Sequence, residues 1–438
     1  MTTWSNWSGE QACVPEVLAR PASTADVVRE VERAAEAGRT VRVAGAGHSF
    51  TDAALTDGTL LSLDAMDRVL DADPATGRVR VQAGGRIHAL SDALAQRGLA
   101  LENLGDIDVQ SIAGATATGT HGTGAKLRNI SSQIEAVQLV TAEGQVRELD
   151  GGDALRAARV SVGALGVVTE LTLRTVPSYT LRGVDEPRPL ADVLGSLDEL
   201  AGASRHFELY VFPHSDVALT RTNEIVDEPP RPPRPARRWV EDVLFGNHGL
   251  RLHCELGRRF PERIPTLNRA VARAFTKRVR VDRADRIFAS PRLVRFTEME
   301  QAFPRAAARE VIPEILATLE RYPVVFPIEV RFVAGDDAPI SPAGGRDTVY
   351  VAVHNFVGLP WEAPLRAVQA IGDRHAARPH WGKRHFHTAA TLAPRYPEWE
   401  AFQRVRRELD PDGRFANDYV RRTIIGPTTR DPSSPAPR

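Results

Sequence analysis

Val41-Arg42-Val43-Ala44-Gly45-Ala46-Gly47-His48-Ser49-Phe50 is a short run of strand formers that breaks into a histidine flanked by glycines. Gly45 and Gly47 allow positive φ and close backbone approach, and consecutive N–H groups in such a turn form a concave donor set for an anion. The stretch predicts a strand feeding a loop shaped for phosphate oxygens, with a pyrophosphate as the natural match. A GxG turn is common and a lone histidine in one is often only structural, so a second signal is needed.

That signal is Gly105-Asp106-Ile107, followed by Ser111 and by Gly114-Ala115-Thr116-Ala117-Thr118-Gly119-Thr120-His121-Gly122-Thr123-Gly124. Residues this small build no core, yet they leave amides and hydroxyls for a large, flat, polar molecule. The competing reading is a glycine-rich surface loop. Two such segments in one chain favour a cofactor bed.

At 438 residues the chain exceeds what one core usually holds, so more than one domain is expected. Lys plus Arg and Asp plus Glu balance at 56 each, which provides no bulk attraction to nucleic acid. Cys13 and Cys254 lie far apart without a CxxC or Cys/His spacing, so no zinc, iron–sulfur or other metal site is expected, and both read as free thiols. Met1 to Trp7 has no basic and apolar leader, and no run of about eighteen apolar residues follows. The expectation is a cytoplasmic protein, at most peripheral to a membrane.

Ser23 to Asp26 predicts a capping box opening a helix with Val27, Val28, Val31 and Ala35 on one face, ended by Gly38. Val79–Gln82 reads as a strand, His88–Arg97 as a helix stopped by Gly98, and Ile134–Leu149 as a hairpin turning at Glu143-Gly144. Gly163-Ala164-Leu165-Gly166-Val167-Val168 is a tight turn feeding a long strand that Pro177 closes. After Tyr179 proline and arginine become frequent. Asp227 to Trp239 holds Pro229-Pro230-Arg231-Pro232-Pro233-Arg234-Pro235 and predicts an exposed, extended excursion, not helix. The basic and apolar mixture around Arg237, Arg238, Trp239, Val243, Leu244 and Phe245 also suits a membrane surface.

Pro327-Ile328-Glu329-Val330-Arg331-Phe332 alternates as a strand that sets Glu329 and Arg331 on one face. The bland reading is a surface ion pair worth about 0–1 kcal/mol. Thr348–Phe356 is a second strand with His354 near its end, and Arg378-Pro379-His380-Trp381-Gly382-Lys383 mixes aromatic, cationic and turn residues.

Together these motifs resemble the sugar-1,4-lactone oxidases and dehydrogenases and the alditol oxidases, within the vanillyl-alcohol-oxidase-type flavoproteins. The resemblance rests on Trp4-x-x-Trp7, Gly47-His48-Ser49-Phe50, Thr118 to Gly124, Met299-Glu300-x-Ala302, Glu329-Val330-Arg331-Phe332, His380-Trp381-Gly382-Lys383 and Asn417-Asp418-Tyr419. It implies an α+β fold, with an N-terminal FAD-binding domain of the PCMH type over residues 1–178 and a cap domain on an antiparallel sheet over 179–385. A segment over 386–425 would return to the flavin, and 426–438 would form a disordered tail.

The resemblance implies that His48 is the histidine bonded to the flavin 8α-methyl in many members, with Gly45, Ala46, Gly47 and Ser49 as its pyrophosphate loop. Asp106, Ser111, Gly114, Thr118, Gly119, Thr120, His121 and Gly122 match a second cofactor segment, and Gly163, Gly166 and Val168 the adenine end. Glu329 and Arg331 match the substrate-side pair, His354 sits near the carbinol, and Lys383 matches the lysine beside flavin N1. The implied reaction oxidises an aldono-1,4-lactone at C2 to an ascorbate-type product, with oxygen, a quinone or a cytochrome as electron acceptor. The alternatives are an alditol oxidase releasing hydrogen peroxide and a non-catalytic flavin-binding module. Alditol oxidases carry a threonine two residues after the matched histidine, where this chain has Phe356.

Overall fold

The computed structural model describes residues 2–426, so the expected tail beyond Gly426 lies outside the described residues. The strand of the opening stretch forms at Val41–Ala44 and pairs in parallel with Thr59–Ser62, which pairs in parallel with Val17–Ala19. Helix Thr24–Glu36 covers this small sheet by burying Val27, Val31 and Ala34, while Val28 and Ala35, expected on that face, are only half-buried. The Ser23 side chain accepts from Asp26 N, but the Asp26 carboxylate turns back to Ala22 N, so the reciprocal half of the predicted box is displaced by one residue.

A five-stranded antiparallel sheet follows, in the order Val146–Leu149, Ile134–Val140, Val167–Arg174, Arg78–Gln82, Val69–Asp73. The predicted hairpin is its first pair. The predicted 88–97 helix spans Ile87–Ala95, and Gly98, at φ +72°, ends the turn after it. The same apolar core takes in Leu90, Val137 and Leu171 together with Trp381, Phe402 and Tyr419 from late in the chain.

Arg42 explains how distant segments are held at one edge of the first sheet. Its buried guanidinium donates to the carbonyls of Ala53, Val162, Gly163 and Phe415. Val162 adopts φ +53°, a costly conformation for a β-branched residue, and its carbonyl is aimed at that guanidinium. Burial lowers the Arg42 pKa to about 10, which leaves it charged at neutral pH. Each buried carbonyl deprived of a donor costs about 1–3 kcal/mol, so Arg42→Met is expected to destabilise the fold by about 3 kcal/mol or more. A urea midpoint equal to wild type would contradict this.

The third large element is an eight-stranded antiparallel sheet in the order Arg278–Arg283, Thr180–Pro189, Val217–Val226, His206–Val211, Ile328–Val333, Thr348–Phe356, Phe296–Pro304, Arg378–Pro379. Strand alternation divides its chemistry. Ile328, Val330 and Phe332, with Val349, Val351, Val353, Met299 and Phe303, form a dry core with helices Ala308–Leu319 and Glu362–Arg374. The opposite face carries Glu329, Arg331, His354, Glu298 and Glu300, which the register sets near one another: Glu329 faces Ala352, Ala352 faces Glu300, and His354 faces Glu298.

The proline-rich stretch departs from expectation at its end. Residues 227–234 are irregular, but Pro235–Trp239 is helical and continues through Val240–Gly249 into helix Leu250–Arg259. Proline at the first helical position loses nothing, because its φ already suits a helix and no N–H is needed there. Trp239 and Leu244 are exposed. No helix among the described residues is long and apolar enough to cross a membrane.

Candidate active site

A cleft of about 1160 Å³ runs between the first sheet and the Ser111–Thr118 segment. Gly45, Ala46, Gly47, His48, Ser49, Ser111, Gly114, Thr118, Gly163, Gly166 and Val168 all line it, with Phe415 from the far end of the chain. The N–H groups of Ala46, Gly47, His48 and Ser49 have no acceptor among the described residues, which makes the loop an open donor set for an anion. Gly47 holds φ +72°, where an L side chain is strained, whereas Gly45 does not take the positive φ expected of it, and a Cβ there would come within 2.4 Å of Ser111 Oγ and oblige that hydroxyl to turn away. The Trp4-x-x-Trp7 motif supports the loop from outside: Trp7 N donates to Gly47 O at 2.7 Å, and the Trp7 ring stacks on His48 at 5.4 Å. Burial, then the charges of Lys383 and Arg86, lowers the His48 pKa to about 4 and keeps the imidazole neutral.

A smaller chamber of about 500 Å³ lies under the polar face of the eight-stranded sheet. Glu329, Arg331, His354 and Lys383 come together in it, from two adjacent strands and the loop after Pro379. Arg331 pairs with Glu329, with Glu208 at 3.0 Å and with Asp106 at 3.3 Å, and Asp106 also pairs with Arg292. Burial raises the Glu329 pKa; Arg331 opposes this while Asp106 and Glu208 add to it, and the carboxyl reaches about 8. Lys383 Nζ donates to Glu298 at 2.5 Å. Burial works against its ammonium, but Glu298 and Glu300 outweigh that and raise its pKa, so it stays charged. His354 Nε2 lies 3.6 Å from Glu298, its pKa is lowered chiefly by burial, and its Nδ1 is buried without a partner among the described residues. The chamber thus offers a carboxyl poised near neutrality, a neutral imidazole and two buried cations.

The second glycine-rich segment is split between these spaces. Ser111, Gly114 and Thr118 line the cleft, whereas Asp106, Thr120 and His121 line the chamber. His121 Nδ1 donates to Gly122 O, its Nε2 lies 3.1 Å from Glu300, and its ring stacks on Tyr350 at 3.7 Å. Gly119 and Gly122 instead pack against Pro342 and against Asn103 and Leu104. Sequence reading missed Glu298, Glu208, Tyr210 and Arg292. The acids at alternate positions of Thr297-Glu298-Met299-Glu300 were the one readable signal, since both must share a strand face.

A family model described as D-arabinono-1,4-lactone oxidase matches residues 171–423, and one described as FAD binding domain matches residues 15–150. The chain is 50% identical to an L-gulono-1,4-lactone dehydrogenase of Mycobacterium tuberculosis, over 97% of this chain and 99% of that protein. It is 32% identical to mouse (Mus musculus) L-gulonolactone oxidase, over 96% and 98% of the two chains, and 32% identical to an alditol oxidase of a Streptomyces species, over 97% and 100%. A cholesterol oxidase from Brevibacterium sterolicum shares the fold, with a TM-score of 0.74 at 18% identity over 95% of this chain and 96% of that one. With residues 15–150 and 171–423 both matched, the chain belongs to the D-arabinono-1,4-lactone oxidase family of FAD-linked oxidoreductases.

Proposed function

We propose that the protein oxidises an aldono-1,4-lactone of the L-gulono or D-arabinono type at C2, giving a 2-keto lactone that tautomerises to an ascorbate-type enediol. The observation that carries this reading is the buried Glu329–Arg331 pair in one chamber with Lys383 and the His354 ring, whose Nδ1 has no partner among the described residues. A surface ion pair would not be buried against two further carboxylates. FAD suits the cleft because four consecutive N–H groups await an anion such as its pyrophosphate. When bound, it supplies the hydride acceptor.

The residues of this chain do the rest. Arg331 presents a forked donor to a lactone oxygen, Glu329 takes the hydroxyl proton, and the unpartnered His354 nitrogen orients the carbinol. Lys383 supplies fixed positive charge in a dry site, where it counts for more than in water. Phe356 supports a lactone over an alditol: it packs with Phe50, Phe296 and Phe326 and offers no hydroxyl to a flexible polyol. A matrix of lactones and alditols against oxygen, a quinone and cytochrome c, read by flavin bleaching, tests the assignment. Bleaching by alditols alone would overturn it.

We further propose that His48 carries the flavin covalently. The support is its neutral imidazole in the glycine loop, since only an unprotonated ring nitrogen has a lone pair to bond. Acid precipitation is expected to leave the yellow colour in the protein pellet and to abolish that retention in His48→Ala. Flavin wholly in the supernatant, with a bare-chain mass, would overturn it.

A further inference from the structure

Tyr210 stands between two carboxyl groups of the cap sheet. Its hydroxyl lies 2.9 Å from Glu329 Oε1 and 3.0 Å from Glu208 Oε1. The sheet builds this arrangement directly, because Tyr210 is registered opposite Glu329, and Glu208 opposite both Arg331 and Arg221. A phenol has one proton to donate, and an ionised carboxylate only accepts. Two buried oxygen–oxygen contacts of this length therefore need a second proton, held by one of the two glutamates.

We infer that Glu208 and Glu329 share a single proton through the Tyr210 hydroxyl, which makes Tyr210 and Glu208 positioning residues for the base of the reaction. At rest the proton sits on Glu329, because Glu208 keeps two guanidiniums, Arg221 at 3.0 Å and Arg331 at 3.0 Å, against one for Glu329. Reaction needs the shared proton to leave the pair to water; Tyr210 then donates to the ionised Glu329. That carboxylate takes the C2 hydroxyl proton as the C2 hydrogen leaves with its electron pair as hydride to FAD, and the protonated Glu329 restores the one-proton pair when product leaves.

Other charges face Glu329 as well. His354 and Glu298 lie on the next strands, with Glu300 beside them; Lys383 and His380 come from the following loop, and Asp106, His121 and Arg292 from the opposite wall. None of these changes in the two test variants. The inference rests on the proposed lactone oxidation. Its test is the pH profile of anaerobic flavin reduction in the holoenzyme.

Glu208→Gln removes a like charge and offers an amide donor to Tyr210, so the acidic limb of the profile is expected to move down by about one pH unit. Tyr210→Phe removes a donor to the ionised Glu329, so reduction at pH 7 is expected to fall about tenfold and to recover at higher pH. Opposite movement of the limb is a result that loss of packing alone does not produce. A readout free of activity is the infrared band of a protonated carboxyl in the holoenzyme, expected to vanish at lower pH in Glu208→Gln than in wild type. Should Tyr210→Phe fail to hold flavin, Glu208→Gln decides alone. Profiles and bands that superimpose on wild type overturn the shared proton. Failure of every aldono-1,4-lactone to bleach the wild-type flavin overturns the lactone reading itself, so the two failures are distinct.

Discussion

Glu329→Gln is expected to lower kcat/KM for the lactone by about 10²-fold or more, the usual scale for losing a positioned proton acceptor. The amide keeps the shape and an oxygen for Arg331, so flavin content and folding should persist. Arg331→Lys is expected to lose at least tenfold, roughly 1.4 kcal/mol of transition-state stabilisation, because an ammonium cannot present two parallel donors. In wild type the reduction rate should rise with pH through about 8, as the carboxyl that burial and its acidic neighbours hold up becomes ionised. The same shift has a stability sign. The folded state keeps the Glu329 proton between its ordinary value of 4.5 and about 8 while the unfolded chain has lost it, so wild-type stability falls across that window. The melting temperature of Glu329→Gln relative to wild type should therefore climb as pH rises from 4.5 to 8. Wild-type turnover in both variants would place the chemistry outside this chamber.

Lys383→Met is expected to slow single-turnover flavin reduction by about 10²–10³-fold, equivalent to about 2.7–4 kcal/mol, the range for removing one preorganised electrostatic group. Methionine preserves most of the volume but leaves the Glu298 carboxylate without its 2.5 Å partner in a buried site. That unpaired charge should push the neighbouring His354 toward its protonated form, since their separation is already 3.6 Å. The pH profile of the variant should change along with its rate. Unchanged reduction at full flavin occupancy would show that the Lys383 charge is not used.

The parts legible in the sequence were those carried by local chemistry. The His48 loop is announced by its glycines, the 134–149 hairpin by Glu143-Gly144, and the Glu329–Arg331 pair by period-two alternation within six residues. Glu208 and Tyr210 gave no such signal, because their meaning comes from a strand that pairs with one more than a hundred residues later. Which strands become neighbours is decided by packing of the whole sheet, and no local pattern encodes it. Asp106 lies in the glycine-rich segment, and no local pattern announces that its carboxylate pairs with Arg331 and Arg292 from far along the chain. Proline content hid the Pro235–Trp239 helix for the opposite reason, since the composition argued against helix and only the position of Pro235 permits it.

The junction of the first sheet with the end of the chain also sets a timetable for making the protein. Val41 N donates to Arg414 O, and Arg42 reaches Phe415 across 373 positions of sequence. At about 5–20 residues per second, roughly 20–75 s of synthesis separate the two halves of that contact. Throughout this interval the nascent chain on the ribosome lacks Phe415 from the lining of the glycine-loop cleft and holds an arginine without one of its carbonyls. A premature stop before Arg414 leaves that lining incomplete even though Glu329, Arg331, His354 and Lys383 have all been made.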